Sequence, residues 1–232
     1  MNSDIEEVIE EEINDENCIV TEKITKPALQ RLLRRAGVKR TSEPVFNILR
    51  HVVQIYLDQI IKKIIVFVKV SKRKTMQLED LYIALENMNV YLVAGINVKS
   101  KNPGKTLMSC NSIGKSGPVK KVSKSVEEEE PKKHKKSGNS AIQSINYHQK
   151  NSDCLAIPKE NFKRLVKQIS IDYMEDIRFS EGVIDLLQLV VEDFVISISE
   201  KAYKCTMFDK RDTIHLKDIE LVLEIINFDY KN

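Results

Sequence analysis

Two long apolar runs dominate the chain, and each is flanked by shorter amphipathic ones. In the first, Val45, Phe46, Leu49, Val52, Val53, Tyr56, Ile60, Ile64 and Phe67 recur at helical spacing. They cover more than one stripe, so the helix they predict needs covering on several sides. It starts at Ser42-Glu43-Pro44 and runs to about Val70, roughly 40 Å at ~1.5 Å per residue. Before it, Thr25-Lys26-Pro27 is a helix-start signal. Leu29, Leu32 and Leu33 then share one face of a short helix, Ala28 to Ala36, which Gly37 stops. After the long helix, Thr75 to Leu78 predicts a short extended bridge and Glu79 to Asn87 a third helix. The second half repeats the plan. A short helix from Phe162 to Tyr173 turns Phe162, Leu165, Val166 and Ile169 inward. Ser180-Glu181 caps a long helix from Val183 to about Tyr203, and Lys217 to Ile226 forms the last helix. Ala141 to Tyr147 predicts an accessory helix ahead of this half.

The halves also share a short sequence. Lys72-Arg73-Lys74-Thr75 and Leu78, Asp80 return as Lys210-Arg211-Asp212-Thr213 and Leu216, Asp218, with Lys, Arg, Thr, Leu and Asp each 138 residues on. The interval from Arg40 to Thr75 equals that from Arg178 to Thr213, 35 residues. A repeat count of two points to a fused pair of like domains rather than a solenoid. Seven Gly, six Pro and no Trp in 232 residues favour helices over a turn-rich β fold.

Charge changes the picture. The net charge of +3 is a misleading mean. Residues 1 to 22 hold nine acidic side chains and no Lys or Arg, so +12 falls on the remainder. Such asymmetry points to a polyanion partner. Residues 97 to 140 hold eleven lysines against four glutamates and read as a solvated linker. The expected organisation is an acidic disordered tail (1–23), a folded half (24–96), a Lys-rich linker (97–137) and a second folded half with its accessory helix (138–232). Cys18, Cys110, Cys154 and Cys205 form no C-x-x-C pattern, which argues for reduced thiols in an intracellular protein without a structural metal. The acidic start lacks the basic and apolar regions of a secretory signal. Both long apolar runs carry internal charges (Asp58, Lys62, Lys63; Asp185, Glu192, Asp193), so they read as buried helices and not as membrane spans.

Catalytic readings fare poorly. Gly104-Lys105-Thr106 and Gly114-Lys115-Ser116 suggest phosphate loops, but the first glycine of a P-loop would fall on Lys99 and Ser109. His51, His134, His148 and His215 are scattered, with no nucleophile and base pair. Neither an enzyme nor a cofactor is expected.

Short helix, loop, long helix, loop, short helix is the order of the histone fold. Ile24-Thr25-Lys26-Pro27-Ala28, Arg31-Leu32, Arg34-Arg35, Gly37-Val38-Lys39-Arg40, Lys72-Arg73-Lys74-Thr75 and Ala84-Leu85 closely resemble core histone H-four. Phe162, Arg164-Leu165-Val166, Asp172, Asp176, Arg178-Phe179, Cys205, Lys210-Arg211, Thr213-Ile214 and Lys217-Asp218-Ile219 resemble core histone H-three. Gly138 to Lys150 resembles that histone's accessory N-terminal helix. Fused in this order, the chain resembles the histone doublets of giant DNA viruses of the marseillevirus group.

The resemblance implies an all-α protein with two histone folds in one chain, paired as an antiparallel handshake heterodimer. It implies that Arg40 lies near Thr213 and Arg178 near Thr75, each Arg entering a DNA minor groove. Lys72, Arg73, Lys74, Lys210 and Arg211 become phosphate contacts, Lys39 is a further DNA-binding residue, and Arg31, Arg34, Arg35, Arg164 and Lys167 lie on the same rim. Asp80 and Asp218 read as structural carboxylates at helix starts that pair with Arg73 and Arg211. Cys205, Phe208, Arg211, Asp218, Leu221 and Ile225 match a surface that joins a second copy in a four-helix bundle, although Phe208 stands where the family usually has His. Phe67, Ile83 and Val93 match the surface for a second doublet resembling histones H-two-B and H-two-A. The expected function is packaging of double-stranded DNA without sequence specificity in a nucleosome-like particle, in the virion and in the viral factory or host nucleus. The alternative is a histone-fold transcription or regulatory factor, or a histone-mimicking interaction protein, that does not wrap DNA. The acidic tail departs from the family, whose first tail is basic.

Overall fold

A computed structural model describes residues 24–88, 137–151 and 154–230. The expected acidic tail, most of the linker and Val93 lie outside the described residues. The first half runs α1 (Lys26–Arg35), β1 (Arg40–Thr41), α2 (Pro44–Val70), β2 (Thr75–Met76) and α3 (Leu78–Glu86). The second runs α4 (Ser137–Lys150), α5 (Lys159–Ile171), β3 (Arg178–Phe179), α6 (Val183–Phe208), β4 (Thr213–Ile214) and α7 (Leu216–Ile225). The expected helices are all present, and the strands are two-residue bridges in the loops between them.

Helix ends show which local signals act. Pro27 sits in the first turn of α1, where its missing N–H is harmless, but the Thr25 side chain makes no capping bond. Gly37, at φ +85°, ends α1 through backbone bonds from Gly37 to the Arg34 carbonyl and from Val38 to the Leu33 carbonyl. The cap of α6 is Gly182 at φ +82°, not Ser180. α6 also runs five residues past the expected end at Tyr203. Thr206 Oγ1 bonds the Tyr203 carbonyl at 2.8 Å, so a polar residue that broke the apolar pattern stays helical.

One apolar core joins both halves. α2 buries Leu49, Val53, Leu57, Ile60, Ile61 and Ile64, and α6 buries Val183, Leu187, Val191, Val195 and Ile198. α2 packs on α5, α6 and α7, while α6 packs on α1 and α3, so each long helix is covered by the other half. Tyr56 of α2 stacks on Phe194 of α6 at 3.8 Å between ring centroids, and Phe228 lies against both rings. Burial pushes the Tyr56 hydroxyl up to about 12. Tyr173 donates to Asp58 across the halves at 2.7 Å, and His51 Nε2 meets the Tyr230 carbonyl at 3.0 Å. The segment after α7 therefore returns to the first half.

Arg35 departs from expectation. It is buried, not on the rim. It pairs with buried Glu192 of α6 at 3.3 Å and donates to the carbonyls of Asn151 and Cys154. Glu192 also accepts the Ala156 and Ile157 N–H groups and the Gln188 amide, each at 2.9 Å. Burial raises the Glu192 carboxyl, and these donors and Arg35 oppose the rise. The cluster clamps the segment between α4 and α5 onto the first half. A buried charge requires such pairing. The signal was present: Ala28, Leu32 and Arg35 are spaced i, i+4, i+7 on one helix face.

Candidate nucleic-acid interface

The repeated loop folds the same way twice. Lys72 ends its helix at φ +53°, and Lys210 does so at φ +55°. In each case the lysine N–H bonds the carbonyl three residues back, and the following arginine N–H bonds the carbonyl five residues back. This is the left-handed helix stop that usually carries glycine. Lysine there is mildly strained, and it projects a cation from the loop in both copies.

The arginine that follows is fixed by the next helix. Arg73 donates to Asp80 at 2.8 and 3.3 Å, and Asp80 also accepts the Gln77 N–H at 2.9 Å. Arg211 donates to Asp218 at 2.8 and 3.2 Å, and Asp218 accepts the His215 N–H at 2.8 Å. Each aspartate thus caps its helix and holds its arginine. For Asp218, burial pushes the carboxyl up. Arg211, the His215 N–H and the nearby positive charges outweigh it, so the group ends below the usual carboxylate range. Asp218, expected on an outer surface, turns inward at 5% exposure and is held by Arg211.

Each loop then meets the first loop of the other half. β1 pairs with β4 in parallel, placing Arg40 opposite Thr213, and β2 pairs with β3, placing Thr75 opposite Arg178. Ser42 N–H to Ile214 O at 3.0 Å and Ser180 N–H to Met76 O at 3.0 Å extend the two bridges identically. Two ion pairs repeat across the halves, Lys39 with Asp212 and Lys74 with Asp176, both at 3.0 Å. They are exposed, so solvent and salt screen them and they add little to stability. Their consequence is positional: they hold the loops with the basic side chains of Arg40, Arg178, Lys72 and Lys210 outward.

The first helices add further cations. Arg164 and Lys167 are exposed on α5. Arg31, half-buried on α1, bonds the Pro27 carbonyl at 3.1 Å. Arg34 donates to the Val38 and Lys39 carbonyls at 2.7 and 2.6 Å, which fixes the approach to Arg40, and burial lowers its pKa. The side chains thus gather in two sets, one around Arg40 and Thr213, the other around Arg178 and Thr75.

Beside the second loop Phe208 is 88% exposed, and Leu221 and Ile225 on α7 are exposed as well. The Cys205 thiol is free and partly covered. On the first half Ile83 is exposed and Phe67 half-buried. Among the described residues no group of three or more His, Cys, Asp or Glu is placed to hold a metal, and no helix is long and apolar enough to cross a membrane.

Known proteins match this arrangement. Residues 137–225 match the family of the core histone domain, the one shared by histones H-two-A, H-two-B, H-three and H-four. Residues 21–94 match a family described as bromodomain associated. Over 198 residues the chain is 30% identical to the "Histone doublet H4-H3" of Melbournevirus, covering 85% of this chain and 84% of that relative. The two units of short, long and short helices are therefore histone folds, and the chain belongs to the giant-virus histone doublets.

Proposed function

We propose that this protein packages double-stranded DNA by wrapping it, without sequence specificity, on a nucleosome-like particle. The family supports a histone-type role in DNA packaging. The observation that carries the finer reading is the crossed pairing of Arg40 with Thr213 and of Arg178 with Thr75. An arginine beside a hydroxyl on each bridge suits insertion into a narrowed minor groove, with Lys39, Lys72, Arg73, Lys74, Arg164, Lys167, Lys210 and Arg211 on phosphates. Residues 24–96 and 138–232 act as the two folds of an antiparallel handshake, with the Lys-rich linker between them. Fusion keeps each fold at high effective concentration for the other. Two chains join through the face around Cys205, Phe208, Leu221 and Ile225. A second doublet, resembling the other two core histones, docks near Phe67, Ile83 and Val93. The role is structural, without a catalytic step, and its site is the virion and the viral factory or host nucleus.

Digestion with micrococcal nuclease, after reconstitution with a second doublet, tests this. A protected DNA fragment of fixed length is expected. Absence of protection removes the wrapping reading. The bromodomain-associated match of residues 21–94 favours a second reading, a histone-fold regulatory factor that pairs its folds without wrapping. Short footprints on particular sequences would establish that one instead. Replacing Arg40 and Arg178 together by Ala is expected to weaken wrapping on all sequences alike, and a sequence-selective loss would contradict direct minor-groove insertion.

A further inference from the structure

A cleft of about 740 Å³ lies where α1, α4 and the loop bridge of Arg40 meet. Arg31, Arg34, Lys39 and Arg40 line one side, and Ala141 and Ile142 of α4 line the other. Ile142 is 47% exposed, an apolar side chain facing a cationic wall. One carboxylate, Asp212, also lines the cleft and is engaged by Lys39. Burial, and then the charges of Arg35, Arg31 and Arg34, depress the pKa of His148, which also lines the cleft.

The described chain enters beside this cleft. Ile24 is fully buried, and its carbonyl accepts a bond from Arg50 at 3.0 Å. Pro27, three residues on, already lines the cleft, so the preceding segment leaves within about 10 Å of it. That segment, residues 1–22, carries nine carboxylates and no cation. Its apolar residues Ile5, Val8, Ile9 and Ile13 are spaced i, i+3, i+4, i+8, the spacing of one helical face.

We propose that residues 1–22 dock on the cleft of their own chain, carboxylates on Arg31, Lys39 and Arg40 and apolar residues on Ala141 and Ile142, and so compete with DNA for one of its two loop sites. This rests on the DNA reading for its consequence but not for the contact itself. Tethering beside the cleft gives the segment a high local concentration, and the contact weakens as salt rises. Among the described residues, no acidic run leads to the second loop site, at Arg178 and Thr75. Competition therefore acts on one site of the pair, which lets DNA engage the other first.

Carbodiimide cross-linking of the full chain without DNA reads the contact directly. Amides between Lys39 and carboxylates of residues 4–16 are expected, and mixed-sequence duplex DNA should remove them. D212N, mapped in parallel, removes the competing carboxylate. DNA affinity is then compared for three full chains: the natural one; one with Glu6, Glu7, Glu10, Glu11 and Glu12 replaced by Gln; and one with Ile5, Val8, Ile9 and Ile13 replaced by Ser. Both variants are expected to bind about ten-fold more tightly at low salt, with the gain fading as salt rises. The serine variant keeps the charge, so natural-like affinity in it would mean plain repulsion and overturn docking. So would cross-links confined to linker lysines, or found only between isotopically distinct chains. If no form binds DNA, the DNA reading fails, while Lys39 cross-links lost in the serine variant still uphold the docking.

Discussion

Val70 and Phe208 stand 138 residues apart, each the last residue of its long helix, and both face outward, 76% and 88% exposed. Ile83 and Leu221 keep the same offset one helix later, and both are exposed. Between these pairs the backbone is almost the same twice: a lysine at positive φ, an arginine on an aspartate, and that aspartate capping the next helix. What differs is the face beside the loop. The first half presents β-branched Val66, Val70 and Ile83, whereas the second presents Met207, Phe208, Leu221 and Ile225. Arg73 has Ser71 as its second partner at 3.3 Å, where Arg211 has Asp209 at 2.6 Å. Bonds to Asp218 and Asp209 hold the Arg211 guanidinium above its ordinary pKa. Loop geometry and outer face are thus set by different residues. One loop geometry recurs on both halves, while the face beside it carries a different set of apolar side chains on each.

The largest effect is expected where the faces differ. Phe208→Glu places a charge in the centre of the proposed self-association surface and should weaken it by a hundred-fold or more, roughly the 2–4 kcal/mol of a central aromatic anchor. Val70→Glu at the equivalent position should leave self-association intact and block the second doublet. Sedimentation of each variant alone and with that doublet checks both. Equal loss of self-association in the two would show that the faces are not specialised.

Where the halves agree, equal effects are expected. Asp80→Ala and Asp218→Ala each remove a cap and the partner of a partly exposed arginine. Each should lower the unfolding free energy by about 2 kcal/mol in urea titrations. Since Asp218 has its pKa depressed by folding, its contribution is present above the ordinary carboxyl range and is lost as pH falls through the depressed value. The gap between the natural chain and Asp218→Ala should therefore close in acid, below the ordinary carboxylate range. A gap that persists there would separate Asp218 from this linkage.

Much of this was legible in the sequence because it depends on local rules. Helical spacing gave the long helices and the 138-residue repeat gave the two loops, while the facing of Arg40 to Thr213 and of Arg178 to Thr75 followed only from the resemblance to the histone fold. The rest depends on contacts between distant segments. Arg35 resembles its neighbours Arg31 and Arg34 in composition, and only its face, together with Glu192 in the middle of an apolar helix, marks it as internal. Phe228 and Tyr230 follow the last helix with no periodic signal. Their role appears when the chain returns to Tyr56, Phe194 and His51. The inward turn of Asp218 likewise needed Arg211 and the helix start placed together.

Lys72→Gly and Lys210→Gly test the shared loop with two effects of opposite sign. Glycine relieves the left-handed strain, about 1 kcal/mol, so thermal stability should rise or hold. Each substitution also removes one cation from the proposed rim. DNA affinity should fall a few-fold, and the slope of log affinity against log salt should drop by about one. Unchanged affinity in one half alone would show that its loop does not meet DNA.

The smallest effect is expected at the first helices, where the halves also differ: α4 packs on α1. His148 belongs to that contact. Its pKa is lowered first by burial and then by Arg35, Arg31 and Arg34. A histidine with a depressed folded pKa contributes stability that is full above its unfolded value, about 6.5, and is lost as pH falls toward the folded value. Acidification charges the ring against the α1 arginines and should loosen α4 while α5 and α6 stay protected. Hydrogen exchange at about pH 5 and about pH 7.5, corrected for intrinsic rates, should show a few-fold loss of protection confined to residues 140–150. His148→Gln should flatten that dependence. The same acid-induced loss in the glutamine variant would mean that α4 is released by another group, with Glu192 and the Arg35 cluster the next place to look.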